Sequence, residues 1–229
     1  MEQASRRFFT RRSALKMLVA LITASVCFGP LDTAQAAEIA RYQPISPPPI
    51  SAEAVFVTDI STGTELFALN AEEPLPPASL TKIVAALVVL ERANLEETIE
   101  ILEEDLVSAE ESQVGLMAGD RLSVRDLLRG MLIPSGNDAT LALARHTGAA
   151  AIGESASPDR AIAEFVSMMN AKAAELGATS SHFMNPTGID APDHVMSARD
   201  IMVLTKAALQ NALFAEIVAT TSAVLESAL

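Results

Sequence analysis

A serine and a lysine that could carry out acyl transfer lie three residues apart at the start of an apolar stretch. Ser79 and Lys82 are followed by residues 83–90, none of which is polar. On a helix this spacing places both side chains on one face, nearly one turn apart, and Pro76 and Pro77 upstream are typical of an entry loop. A hydroxyl beside an amine at a helix start has the parts of an acyl-transfer nucleophile. Because S-x-x-K alone is also common on surface helices, the prediction depends on a second motif.

The second motif is Ser135-Gly136-Asn137, about 55 residues downstream on a loop between two predicted helices. A serine–lysine pair needs a route for the proton to the leaving amine, and a second hydroxyl such as Ser135 can relay it. An asparagine offers both a donor and an acceptor to a substrate amide. The tripeptide is also compatible with a plain turn, but the two motifs together are much more specific than either alone.

The elements that must position these residues are predicted from periodicity and capping signals. Two β-rich runs, 54–59 and 64–69, flank a glycine-containing turn and predict a hairpin. The helix that starts near Ser79 is apolar on all sides after Lys82, which is typical of a buried central helix. Further helices are predicted from Ser123 to about Ile133, from about Asp138 to Thr147 with Gly148 as its C-terminal signal, from Pro158 to a stop at Gly177, and from Ser197 to about Asn211.

Residues 1–36 are predicted to be an export signal. Five basic residues precede the apolar run 17–28, which is short for a membrane anchor, and Ala34-Gln35-Ala36 is a cleavage signal. The segment 10–16 fits a twin-arginine motif, with an ordinary secretory signal as the alternative. The proline-rich residues 37–51 are predicted to be a linker. We therefore expect an exported protein of the periplasm or cell envelope.

Charge and composition exclude several classes of function. Without residues 1–36 the chain has 11 Lys and Arg against 27 Asp and Glu, about −16, which argues against nucleic acid or anionic lipid as a partner. The acidic stretch 96–111 is predicted to be a solvated face. The only cysteine, Cys27, lies in the export segment, and His146, His182 and His194 lack metal-site spacing. No metal or cofactor is expected.

Several blocks of the sequence resemble the penicillin-binding, D-alanyl-D-alanine carboxypeptidase family of serine peptidases. These blocks occur in the family's order and are 77–82, 116–120, 134–139, 185–190 and 197–200. The resemblance implies an α+β fold of the β-lactamase and penicillin-binding-protein type. In that fold an N-terminal β-hairpin belongs to an antiparallel sheet, and a helical lobe is inserted in the chain. Residues 52–229 would form this domain.

The resemblance also implies a hydrolase that acts on the D-Ala-D-Ala end of peptidoglycan stem peptides, with β-lactams as covalent inhibitors. Ser79 would be the nucleophile that forms an acyl-enzyme, and its amide would supply half of an oxyanion hole. Lys82 would be the base and Ser135 the proton relay, and Asn137 would hold the substrate or orient Lys82.

The sequence departs from the family pattern in one respect. The third motif, K-T-G, is not found, because neither Lys172 nor Lys206 is followed by Thr-Gly. We therefore expect an incomplete domain without the C-terminal strands, either a fragment or a chain that has lost activity. The alternatives are a non-catalytic cell-wall binding protein and, less favoured by Ser135-Gly136-Asn137, a class A β-lactamase. Oligomeric state is left open.

Overall fold

The predicted hairpin is present at the start of the folded region. The structure, a computed structural model, describes residues 49–153 and 156–227, so the export segment and nearly all of the linker lie outside the described residues. Strands β1 (Val55–Thr58) and β2 (Glu65–Leu69) pair antiparallel, with Val55 opposite Leu69. Asp59 closes the turn by accepting the amide protons of Ser61 and Thr62. A hydrogen bond from the Ser61 hydroxyl, together with these two backbone bonds, lowers the pKa of Asp59 to about 2.

The central helix α1 (Thr81–Arg92) follows a 3-10 turn, Ala78–Leu80. Its residues from Thr81 to Val89 are buried except for the partly buried Ile83, as the apolar composition predicted. Four later helices pack on it. Thr81 and Lys82, the polar residues at the start of this buried helix, are therefore held with little freedom.

The remaining elements form a helical lobe and a second small sheet. Strands β3 (Thr98–Glu100) and β4 (Arg121–Ser123) pair antiparallel. The helices are α2 (Val124–Leu132), α3 (Asn137–Ile152), α4 (Pro158–Glu175), α5 (Ala198–Ala208) and α6 (Ala212–Val218). The Ser123 hydroxyl caps α2 and the Ser197 hydroxyl caps α5, as their sequence signals predicted. The α+β prediction is confirmed.

Gly148 does not end its helix, contrary to the prediction. Helix α3 runs through it to Ile152, and a Cβ at Gly148 would lie only 1.9 Å from the carbonyl oxygen of Ala161 in α4. The glycine is therefore there for close helix packing. Arg145 in α3 donates two hydrogen bonds to the fully buried carboxylate of Asp105, at 2.6 and 2.7 Å.

Among the described residues no single helix is long and apolar enough to cross a membrane. Helices α5 and α6, which are bent by 113° relative to each other, pass the same test of length and composition only when they are counted as one segment. Both helices contribute buried residues to the hydrophobic core, including Leu204 and Phe214.

Candidate active site

Ser79 and Lys82 lie side by side at the start of the central helix. The Lys82 Nζ atom is 3.2 Å from the Ser79 Oγ atom. Ser79 is exposed, whereas Lys82 is only 3 % exposed. The predicted contact is therefore present, with one difference in local structure: Ser79 lies in the 3-10 turn before α1 and not in the helix itself.

Two carbonyl oxygens fix the Lys82 amine from the other side. Nζ donates to the side-chain Oδ1 of Asn137 at 2.7 Å and to the backbone carbonyl of Thr187 at 2.8 Å. A neutral amine has two N–H donors and one lone pair. When both donors are used by these carbonyl groups, the lone pair is left to face the Ser79 hydroxyl. The arrangement can therefore accept the proton of Ser79.

Burial changes the protonation of this lysine. Desolvation lowers the pKa of Lys82 from 10.5 to about 8, and the negative charge of Glu111 opposes this shift. A pKa near the working pH of most enzymes gives an appreciable neutral fraction, which a general base requires. Desolvation by the surrounding apolar residues is thus the largest cause of the lowered pKa of Lys82.

A turn far along the chain supplies the Thr187 carbonyl. The Asn185 Oδ1 atom accepts the amide protons of Thr187 and Gly188, at 3.2 and 2.8 Å, which is an Asx turn. The Asn185 Nδ2 group donates to the carbonyl of Ile189 at 2.7 Å. This segment was recognised in the sequence only as a family block, and no residue pattern indicated its contact with Lys82.

Ser135 lines a cavity together with Ser79 and Lys82, but its hydroxyl makes no hydrogen bond within the described residues. A cavity of about 250 Å³ is lined by Ser79, Lys82 and Ser135 together with apolar side chains such as Met131 and Phe214. The Ser135 Oγ atom is buried without a hydrogen-bond partner among the described residues. Its role as a proton relay stays a prediction.

Two of the four non-glycine residues with positive φ in the described part of the chain lie at this site. Ala78, directly before the nucleophile, has φ = 48°, and Ser135 has φ = 64°. Left-handed backbone at non-glycine residues costs about 1–3 kcal/mol each and persists where the surrounding structure imposes it. Three of the family blocks meet at this site, and two of them, 77–82 and 134–139, are therefore each held in an unfavourable backbone conformation.

The buried His194 contacts the first residue of the central helix α1. The His194 Nδ1 atom accepts the amide proton of Met184 at 3.0 Å, so Nε2 carries the proton and donates to the Thr81 Oγ1 atom at 2.8 Å. Thr81 is the residue directly before Lys82. These contacts give His194 a structural role at the start of the helix. Within the described ranges, no three His, Cys, Asp or Glu side chains converge as a metal site.

Glu111 is the residue of the site that the sequence prediction missed. It ends the acidic stretch that was expected to be a solvated face, yet it is half-buried and its Oε2 atom accepts a hydrogen bond from Asn137 Nδ2 at 2.9 Å. No spacing rule relates a carboxylate to an asparagine 26 residues away.

The fold is that of the DD-transpeptidases and DD-carboxypeptidases. The crystal structure of the DD-transpeptidase of a Streptomyces strain superposes with a TM-score of 0.72 at 28 % identity, covering 80 % of this chain and 74 % of that one. A D-alanyl-D-alanine carboxypeptidase of Mycobacterium tuberculosis superposes with a TM-score of 0.70 at 36 % identity, covering 78 % and 64 %.

The chain belongs to the D-alanyl-D-alanine carboxypeptidase family, peptidase family S11, whose model matches residues 41–227. In sequence it is 36 % identical over 193 residues to a D-alanyl-D-alanine carboxypeptidase of M. tuberculosis, covering 82 % of this chain and 62 % of that protein. It is 34 % identical to a D-alanyl-D-alanine carboxypeptidase of Bacillus subtilis, and the match covers 69 % of this chain and 39 % of that protein. The chain thus spans less than two thirds of these relatives.

Proposed function

We propose that this protein is a serine-type D-Ala-D-Ala carboxypeptidase that acts on peptidoglycan stem peptides through an acyl-enzyme at Ser79. The observation that carries the proposal is the 3.2 Å contact between Ser79 and Lys82, whose amine is buried and held by two carbonyl groups. Family membership supports the same substrate class. The fluorescent β-lactams used to study this family would then label Ser79 covalently.

The chemistry follows from the geometry. The Ser79 Oγ atom attacks the carbonyl carbon of the penultimate D-Ala, and its proton passes to the Lys82 lone pair. The peptide C–N bond then breaks, and the departing D-Ala nitrogen takes up that proton, with Ser135 proposed as the relay. Water hydrolyses the resulting ester and returns the proton to Ser79. The resemblance implies that the K-T-G strand holds the substrate carboxylate and supplies the second N–H of the oxyanion hole, and we assign these two roles to no residue of this sequence.

Release of D-Ala from a D-Ala-D-Ala peptide tests this function. We expect the protein to be labelled by fluorescent penicillin and to release D-Ala more slowly than a family member with K-T-G, a motif that is not found in this sequence. Ser79→Ala should abolish both the labelling and the release. Nitrocefin turnover measured in parallel separates a peptidase from a β-lactamase, because a carboxypeptidase acylates with nitrocefin but turns it over slowly. Binding of peptidoglycan without D-Ala release or labelling would favour the non-catalytic alternative and refute the proposal.

Export is proposed as well. The basic head, the apolar run and Ala34-Gln35-Ala36 support cleavage near Ala37 and residence in the periplasm or cell envelope. N-terminal sequencing of the protein from an envelope fraction tests this, and Met1 retained on cytosolic protein would contradict it. Replacement of Arg11 and Arg12 by Lys tests the twin-arginine route separately.

A further inference from the structure

Glu111 is held in place by a loop that is anchored to the first turn of α3. The amide protons of Val114, Gly115 and Leu116 all point at the Asp138 carboxylate, at 3.0–3.1 Å. The loop is also held by a backbone hydrogen bond: the backbone N–H of Asn137 donates to the backbone carbonyl of Ser112 at 2.7 Å. The contact between Glu111 and Asn137 is therefore made by a fixed segment and not by a freely rotating surface side chain.

The chemistry of the two neighbours determines how the Asn137 amide is oriented. The Lys82 amine donates to one end of the amide at 2.7 Å, and the Glu111 carboxylate accepts from the other end at 2.9 Å. An ionised carboxylate only accepts, so it requires the NH₂ group, and this leaves the oxygen for Lys82. A protonated lysine also requires the amide oxygen, because an ammonium group only donates. Without the carboxylate, however, the amide can turn its NH₂ group toward the neutral amine, whose lone pair accepts a hydrogen bond.

We propose that Glu111 is a positioning residue of the acylation site, which holds the Asn137 amide so that its oxygen faces Lys82 and places a negative charge one side chain away from the base. The proposal rests on the proposed function for its kinetic consequence, but not for the contacts themselves. It differs from the roles predicted for Ser79, Lys82, Ser135 and Asn137, because Glu111 acts only through Asn137 and through its charge.

The negative charge of Glu111 changes the pKa of Lys82 in a known direction. Glu111 stabilises the protonated form of Lys82 and so acts to raise its pKa. Burial acts in the opposite direction and is the larger effect, so that the pKa lies at about 8. Removing this charge while keeping the hydrogen bond should move the pKa of Lys82 down. The neutral base is then available at lower pH, and the rising limb of the acylation profile moves with it.

Three variants separate the hydrogen bond from the charge. Glu111→Gln keeps an oxygen for the Asn137 NH₂ group but removes the charge, and Glu111→Ala removes both. Glu110→Gln is the matched control, because Glu110 is exposed and adjacent in sequence and the substitution changes the charge equally. The second-order rate of acylation by fluorescent penicillin is measured for each variant between pH 5.5 and 9.5.

We expect the midpoint of the rising limb to fall by about half a pH unit in Glu111→Gln, the size of one partly screened charge, with the plateau within about threefold of wild type. In Glu111→Ala the midpoint should fall similarly and the plateau should drop about tenfold, because the Asn137 amide is no longer held. Glu110→Gln should follow wild type. Identical midpoints in wild type, Glu111→Gln and Glu110→Gln would overturn the proposal.

A second readout does not depend on activity. The ε-carbon of Lys82, observed by NMR in ¹³C-lysine protein and assigned with Lys82→Arg, reports the titration of the amine directly. The titration midpoint should fall in Glu111→Gln and stay unchanged in Glu110→Gln, also in a Ser79→Ala background. If wild type is not labelled by penicillin, the proposed function fails, while this titration still decides the role of Glu111. An unmoved Lys82 midpoint would refute it.

Discussion

The backbones of Gly188 and Ala78 are in direct contact, although 110 residues separate them. A Cβ atom built on Gly188 would lie 1.9 Å from the Ala78 carbonyl oxygen and 3.0 Å from the Ser79 nitrogen, and Gly188 has φ = 91°. Only glycine allows this approach. The turn that supplies the Thr187 carbonyl to Lys82 thus also presses against the peptide that carries the nucleophile.

Gly188→Ala should therefore displace the nucleophile. The new methyl group has to push the Ala78–Ser79 peptide away, which moves Ser79 relative to Lys82, and we expect penicillin acylation to slow by more than about tenfold. The control is Gly177→Ala, at φ = 82° with no atom within 4 Å of the new methyl group. Both variants carry a similar left-handed backbone cost of about 1–2 kcal/mol, so the difference between them reports the clash. Equal acylation rates in the two variants would contradict the contact.

Lys82→Arg should abolish acylation. A guanidinium stays charged at all accessible pH values and has no lone pair for the Ser79 proton. Wild-type acylation should instead rise with pH around a midpoint of about 8, where Lys82 loses its proton. The exposed Lys206 provides the control Lys206→Arg, which should keep the wild-type profile. Acylation by Lys82→Arg at the wild-type rate would exclude Lys82 as the base.

His194 should make stability depend on pH. Burial lowers the pKa of His194, with a smaller lowering effect from His182 and an opposing effect from Asp190. Because its folded pKa lies below the unfolded value of about 6.5, its contribution is present above that pH and is lost as the pH falls below it. Protonation would also set a second N–H against the Met184 amide proton.

Urea unfolding at pH 7.5 and 5.5 measures this effect. Wild type should lose more of its free energy of unfolding over this interval than His194→Asn, because the imidazole takes up a proton more readily in the unfolded chain than in the fold. His182→Asn removes an exposed histidine whose effect on the pKa of His194 is smaller than that of burial, so this variant should keep most of the wild-type dependence. An unchanged pH dependence in His194→Asn would show that His194 does not titrate with unfolding.

Asp138→Asn should destabilise the lobe. The Asp138 carboxylate accepts three loop amides and that of Ala139, and an asparagine NH₂ group would face some of these donors. Loss of charge-assisted hydrogen bonds at this buried position should cost about 3 kcal/mol in the free energy of unfolding. Asp159→Asn is the control, because Asp159 also lies in the first turn of its helix but is exposed. Similar urea midpoints for both variants would contradict this role.

The features predicted correctly from the sequence are local ones. The hairpin, the caps at Ser123 and Ser197 and the burial of the central helix follow from alternation, capping chemistry and apolar composition, which act within a few residues. The contact between Ser79 and Lys82 belongs to this group, because it depends only on one turn of chain.

The contacts that complete the site join residues that are distant in sequence. Lys82 meets Thr187 across 105 positions, and Asn137 meets Glu111 across 26. Such pairs are set by tertiary packing, and no local pattern encodes them. Gly148 was misread for the same reason, because its requirement comes from Ala161 in another helix and not from a helix end. The export segment, the linker and the reduced activity expected without K-T-G stay predictions.

Peptide mapping of the acylated protein tests the central claim most directly. The protein is incubated with benzylpenicillin above pH 8, quenched in acid and digested, and the modified residue is located by tandem mass spectrometry. The account predicts one penicilloyl adduct, on Ser79, which is absent from Ser79→Ala and is formed by Lys206→Arg as in wild type. An adduct on any other residue, or no adduct on a folded wild-type protein, would contradict it.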